Sequence, residues 1–257
     1  MRGEGRFVLA VVSALALTGC HTAFGPEPRD QTWHAHEGAR VTFFVRPGSF
    51  AEQNVARLIE VLEDQFTATV GALRLTYAGR LHAYAYISAL DGHFESSYSG
   101  RAYPETESFR FVAVPPVNDN LFGLMSHEAN HVLIIQGLGR AGTFFFTEGL
   151  ATAVLSERFH QVGRHFYFPW TRANRAQLPR LSDLMDDDGW QRATSEIAYR
   201  TSASFLMFLL DVYGPDRLRQ VYPLRSNDLP DRIQTVYGKS LAALQAEWLL
   251  FVETWQG

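Results

Sequence analysis

The 257-residue sequence predicts an α+β fold, and two observations carry that expectation. Runs rich in β-branched and aromatic residues fall before Pro115-Pro116, while helical periodicity dominates from Asn118 to the end. No Pro/Ser-rich linker divides residues 39–257, so they read as one domain with a sheet-bearing N-terminal lobe and a helical C-terminal lobe. With 46% hydrophobic and 19% charged residues, the chain has the apolar content for a sizeable core.

Residues 1–19 read as a leader rather than as fold. Arg2 and Arg6 precede an apolar run from Phe7 to Leu17 that is too short to span a bilayer. Leu17-Thr18-Gly19-Cys20 then resembles the bacterial lipobox, which implies cleavage before Cys20 and a lipid on its sulfur. That resemblance places the chain in a bacterial envelope. With no aspartate after Cys20, it favours the outer membrane, facing the periplasm. Several acyl chains, at about 0.8 kcal/mol per buried CH2, would hold the protein firmly. Residues 20–38 read as a tether, and its His34 and His36 as solvated side chains.

The body begins with a strand, because Val41, Phe43 and Val45 alternate with Thr42, Phe44 and Arg46. Ser49 and Glu52 look like a capping box. The helix behind it carries Val55, Leu58, Ile59, Leu62 and Phe66 on one apolar stripe. Alternation from Leu81 to Ile87 and the β-rich run from Phe109 to Val114 predict two further strands. Gly100-Arg101-Ala102-Tyr103 between them reads as a loop. Gly214-Pro215 marks a stop and restart between two of the later helices, and Asp186-Asp187-Asp188 reads as a solvated acidic turn, without the ligand spacing of a calcium loop.

Chemistry concentrates in His127-Glu128-Ala129-Asn130-His131, the H-E-x-x-H pattern. Between an Asn118-Asp119-Asn120 start and a stop near Gly137 this segment is predicted helical, so the imidazoles four residues apart stand one turn above each other. Leu124, His127, Glu128, His131 and Ile135 share a stripe that a core would claim. Three ionisable groups there are costly unless paired or bound to metal. Downstream, Phe144 to Ala151 opens an apolar helix in which Glu148 is the one acid, supplying a third donor. The sole cysteine is Cys20, so a metal in the body has only His and carboxylate ligands of this kind to use.

The pattern H-E-x-x-H, sixteen residues, then Glu148-Gly149-Leu150-Ala151 resembles the gluzincin zinc peptidases, specifically the peptidase MA-like group. Tyr199-Arg200-Thr201-Ser202 is similar to the Y-x-x-S helix of that group, and Gly238 to Trp248 to its terminal helix. The resemblance spans roughly residues 40 to 255 and is strongest from 127 to 151. It implies a thermolysin-like zincin fold with an N-terminal mixed sheet and a helical C-terminal lobe. It further implies one zinc per chain on His127, His131 and Glu148, with Glu128 as general base and acid and Tyr199 as a donor to the oxyanion. An upstream edge strand would pair with the substrate backbone, and Phe109 to Val114 is placed in sequence to do so.

The implied activity is peptide-bond hydrolysis with a peptide or unfolded protein as substrate. The alternative is a lipid-anchored, non-catalytic module that holds polypeptide on the same zinc fold. A formal charge of −4 offers no electrostatic footprint for nucleic acid. No segment after the leader approaches the roughly 18 apolar residues that span a bilayer. His82, His93, His160 and His165 lack ligand spacing. Oligomeric state is not legible.

Overall fold

A computed structural model describes residues 32–94, 99–160 and 162–256; the leader and Cys20 lie outside the described residues. The fold is α+β, with five strands, β1 (His34–Glu37), β2 (Val41–Val45), β3 (Leu81–Tyr86), β4 (Gly100–Tyr103) and β5 (Ser108–Val112), in one mixed sheet of order β1-β2-β3-β5-β4. Parallel pairing of β2 with β3 follows from the connection between them, which is long enough to hold two helices, α1 (Phe50–Gln53) and α2 (Val55–Leu73). β3 and β5 are also parallel, and the edge strands β1 and β4 run antiparallel to their neighbours.

Alternation along the strands decides what covers them. Phe43, Ala83 and Phe109 lie in one row across the three parallel strands. Together with Val41, Val45, Leu81, Ala85 and Phe111 they pack on Leu58 and Leu62 of α2 and on Met125 and Val132 of α3 (Asp119–Leu138). The expected cap at α1 forms, with Ser49 Oγ accepting from Glu52 N at 3.1 Å, while Glu52 Oε2 reaches back to Gly48 N at 2.6 Å.

The C-terminal lobe is helical throughout. It contains α4 (Phe144–Ala153), α5 (Arg164–Ala173), α6 (Leu181–Leu184), α7 (Asp187–Arg192), α8 (Ser195–Tyr213), α9 (Pro215–Val221), α10 (Leu229–Tyr237) and α11 (Leu241–Thr254). A second core joins them around Phe145, Phe146, Phe205, Phe208 and Trp248, each fully buried. At about 1.5–3 kcal/mol per buried large apolar side chain, these rings fix α4 firmly against α8. Among the described residues, no helix is long and apolar enough to cross a membrane.

Five local expectations change. His34 to Glu37, read as part of a tether, form β1; His34 Nδ1 bonds Glu52 and so closes the strand onto the start of α1. Phe109 to Val114 is not an edge, because β5 is held between β3 and β4. The edge on that side is β4, the segment read as a loop. Asp186 and Asp187 are not merely solvated, since Asp186 caps α7 through Gly189 N and Asp187 Oδ1 accepts from Phe144 N at 2.9 Å. Further along, α3 continues past Gly137 and ends at Leu138, capped by Gly139.

A candidate metal centre between the lobes

The centre is built by α3, α4 and α8. Asn118 caps α3 by accepting from Leu121 N, and the helix then carries His127, Glu128 and His131 toward α4. Along the expected stripe, Leu124, His127, His131 and Ile135 are half-buried, whereas Glu128 is buried. Burial also falls on Leu121, Met125, Ala129, Val132 and Leu133, which meet the core. The apolar core thus claims the other sides of the helix, and the two histidines of the motif face Glu148 of α4.

Phe145 and Phe146 anchor the first turn of α4 against Trp190, Phe205 and Tyr222, and Glu148 follows on the next turn. Its Oε2 lies 3.1 Å from His127 Nε2 and 3.5 Å from His131 Nε2, and the two imidazole nitrogens are 3.0 Å apart. These three residues could hold one metal ion, the only such group of three among the described residues. Around a tetrahedral ion with bonds of about 2.0–2.1 Å, ligand atoms stand about 3.3 Å apart. The measured separations bracket that value, so the donor set fits such an ion.

Supporting contacts surround the ligands. Tyr199, on the second turn of α8, donates its hydroxyl to Glu148 Oε2 at 2.8 Å. Thr152 Oγ1 donates to Glu148 O at 2.8 Å and lies 3.4 Å from His127 Nδ1. Protonated Nδ1 facing Thr152 leaves His127 Nε2 unprotonated and directed at the centre. Thr152 was not singled out in the sequence; its signal is the spacing of four from Glu148.

Glu128 is 4% exposed and lies directly under the edge strand. A Cβ on Gly100 would come within 2.8 Å of Glu128 Cγ and 2.9 Å of its Oε1, so β4 passes this carboxylate at glycine distance. Burial pushes the Glu128 carboxyl up against the opposing charges of His131 and His127. Glu148 moves the other way. Burial alone would raise it, but the two histidines hold its carboxyl well below the usual carboxylate range. For His131, burial favours the neutral ring, yet the Glu148 carboxylate outweighs it and raises the imidazole.

The structure therefore brings His127, Glu128, His131, Glu148 and Tyr199 together. His82 lies on the sheet beside Phe44, His160 is buried against Ser126, and His165 packs on Trp255. In comparisons with known proteins, no family model and no curated protein matches the chain.

Proposed function

We propose that this protein is a zinc-dependent metallopeptidase of the gluzincin type, anchored in a bacterial envelope by a lipid on Cys20. The observation that carries the proposal is the convergence of His127, His131 and Glu148 at tetrahedral-edge spacing, with Glu128 one residue along the same helix and under the edge strand β4. An open three-ligand set of two histidines and a glutamate is that of catalytic rather than structural zinc. When bound there, zinc polarises a substrate carbonyl and lowers the pKa of water toward about 7.

The side chains divide the remaining work. Glu128 takes the proton from the attacking water and returns it to the leaving amine, a contribution of roughly 10²–10⁴ in rate. β4 offers its outer edge to an extended peptide, which adds a strand to the sheet and lies across Glu128. Tyr199 holds Glu148 in place through its 2.8 Å hydrogen bond. To serve as the oxyanion donor, its hydroxyl has to leave that bond. Tyr199→Phe separates the two roles: a lost ligand clamp weakens metal binding, whereas a lost oxyanion donor lowers turnover with metal binding intact.

The test is incubation of the zinc-loaded chain with a mixed peptide pool, read by mass spectrometry beside Glu128→Gln. New peptide termini from the wild type, and few or none from the metal-retaining variant, are expected. Full activity of Glu128→Gln refutes the mechanism. Capture of peptides by the wild type without cleavage selects the non-catalytic polypeptide-binding module.

A further inference from the structure

Asn130 stands inside the motif between the two histidines, yet it points away from the metal group into a buried polar network. Its Nδ2 donates to Ala151 O of α4 at 2.7 Å, and its Oδ1 accepts from Thr69 Oγ1 at 2.6 Å and from Gln65 Nε2 at 2.9 Å, both on α2. Gln65 Nε2 also lies 2.8 Å from Val154 O, and Gln65 Oε1 accepts from Ser156 N at 2.9 Å. All three side chains, Gln65, Thr69 and Asn130, are fully buried.

The network terminates α4. A helix leaves its last four carbonyls without intrahelical partners, and burying them unpaired is costly. Ala151 O is one of these, and Asn130 satisfies it; Gln65 takes Val154 O and Ser156 N just beyond the helix end. The amide orientation of Asn130 is fixed by its partners. A flipped group would set Oδ1 against a carbonyl and Nδ2 against the amide of Gln65.

We propose that Asn130 and Gln65 are positioning residues for the metal group, locking the helix that carries His127 and His131 in axial register with the helix that carries Glu148. This inference rests on the metal-binding reading of those three ligands. Asn130 directly precedes His131, and Ala151 lies three residues, about one turn, beyond Glu148, so their bond joins the two helices one step from the ligands on each. Apolar packing tolerates sliding of one helix along another, whereas metal–ligand distances tolerate only about 0.2 Å against a rise of about 1.5 Å per residue. Directional hydrogen bonds to a fixed carbonyl remove that freedom. An apolar core at these positions would hold the helices together without setting their register.

Asn130→Asp tests the assignment, because the near-isosteric carboxylate keeps the acceptor for Thr69 and Gln65 but sets an oxygen against Ala151 O. The full chain and the variant are titrated with zinc against a chromophoric chelator, and their cobalt-loaded forms are compared by visible absorption. Zinc affinity is expected to fall about 10- to 100-fold, with a changed cobalt spectrum. Thr69→Val, which removes one donor to Asn130 Oδ1, gives a smaller loss in the same direction and decides the matter if Asn130→Asp does not fold. Leu244→Ala, in the helical core away from the ligands, lowers the melting temperature alone and serves as the control for a purely structural effect. Variants that melt lower but bind zinc as tightly as the wild type, with the same cobalt spectrum, overturn the proposal. A wild type that takes up no metal overturns the underlying reading and this inference with it.

Discussion

Gly149 and Ser202 set the distance between α4 and α8: a Cβ on the glycine would fall 2.6 Å from the serine Cβ and 2.7 Å from its Oγ. Ser202 is held by its own helix through Ala198 O at 2.7 Å and Tyr199 O at 3.0 Å, so it has little room to turn aside. The glycine after Glu148 and the serine three residues after Tyr199 are thus two halves of one contact. They let the helices approach until the Tyr199 hydroxyl reaches Glu148.

Gly149→Ala is therefore expected to cost about 1–3 kcal/mol by overpacking and to lower the melting temperature by several degrees in a thermal scan. Metal affinity should fall with it, since the displaced helix carries the Tyr199 clamp. An unchanged melting temperature would show that the two helices part without penalty.

Gly100 makes a different prediction, because its neighbour is the proposed proton carrier and not a ligand. In Gly100→Ala the new methyl meets Glu128 Cγ and Leu124 Cδ1, and Glu128 has to shift from under the strand. Peptide cleavage should drop by at least about tenfold, since a misplacement near 1 Å costs on that order or more. Zinc content should stay at the wild-type level. Parallel metal analysis and peptide kinetics check both halves of the statement.

His160 gives the fold a sensitivity to acid. Buried beside Ser126 Oγ at 3.2 Å, its imidazole is pushed down from 6.5 to about 4 by burial. The unfolded chain takes up this proton near pH 6.5 and the folded chain only near 4, so the unfolded state binds more protons between those values. Stability is full above pH 6.5 and declines as pH falls toward 4. Between pH 7 and 5 the loss attributable to this residue is about 2 kcal/mol. Urea unfolding of wild type and His160→Gln at the two pH values measures it, and an equal pH dependence in both removes His160 as the cause.

What the sequence made legible was local. His127, Glu128 and His131 needed only the helical repeat to be placed together, and Glu148 was found as the single acid in an apolar helix start. β1 escaped because an edge strand with one solvated side, His34-Ala35-His36-Glu37, has no apolar alternation to display. β4 escaped for a related reason: four residues beginning in Gly and Arg carry no periodic signal, and their assignment comes from pairing with β5. The roles of Asn130 and Gly100 depend on partners 61 to 65 residues away for Asn130 and on Glu128 packing under an unforeseen strand for Gly100. Periodicity also named the whole motif stripe as core-facing, whereas only Glu128 of that stripe is buried and the apolar core takes the other sides of α3.

The most direct measurement is the metal content of the purified chain by elemental analysis, wild type beside Glu148→Ala. One zinc per wild-type chain and a large loss in the variant are predicted, because removing the carboxylate leaves two imidazoles 3.0 Å apart without their anionic partner. Metal-free wild type, or a variant that retains zinc at the wild-type level, would contradict the account.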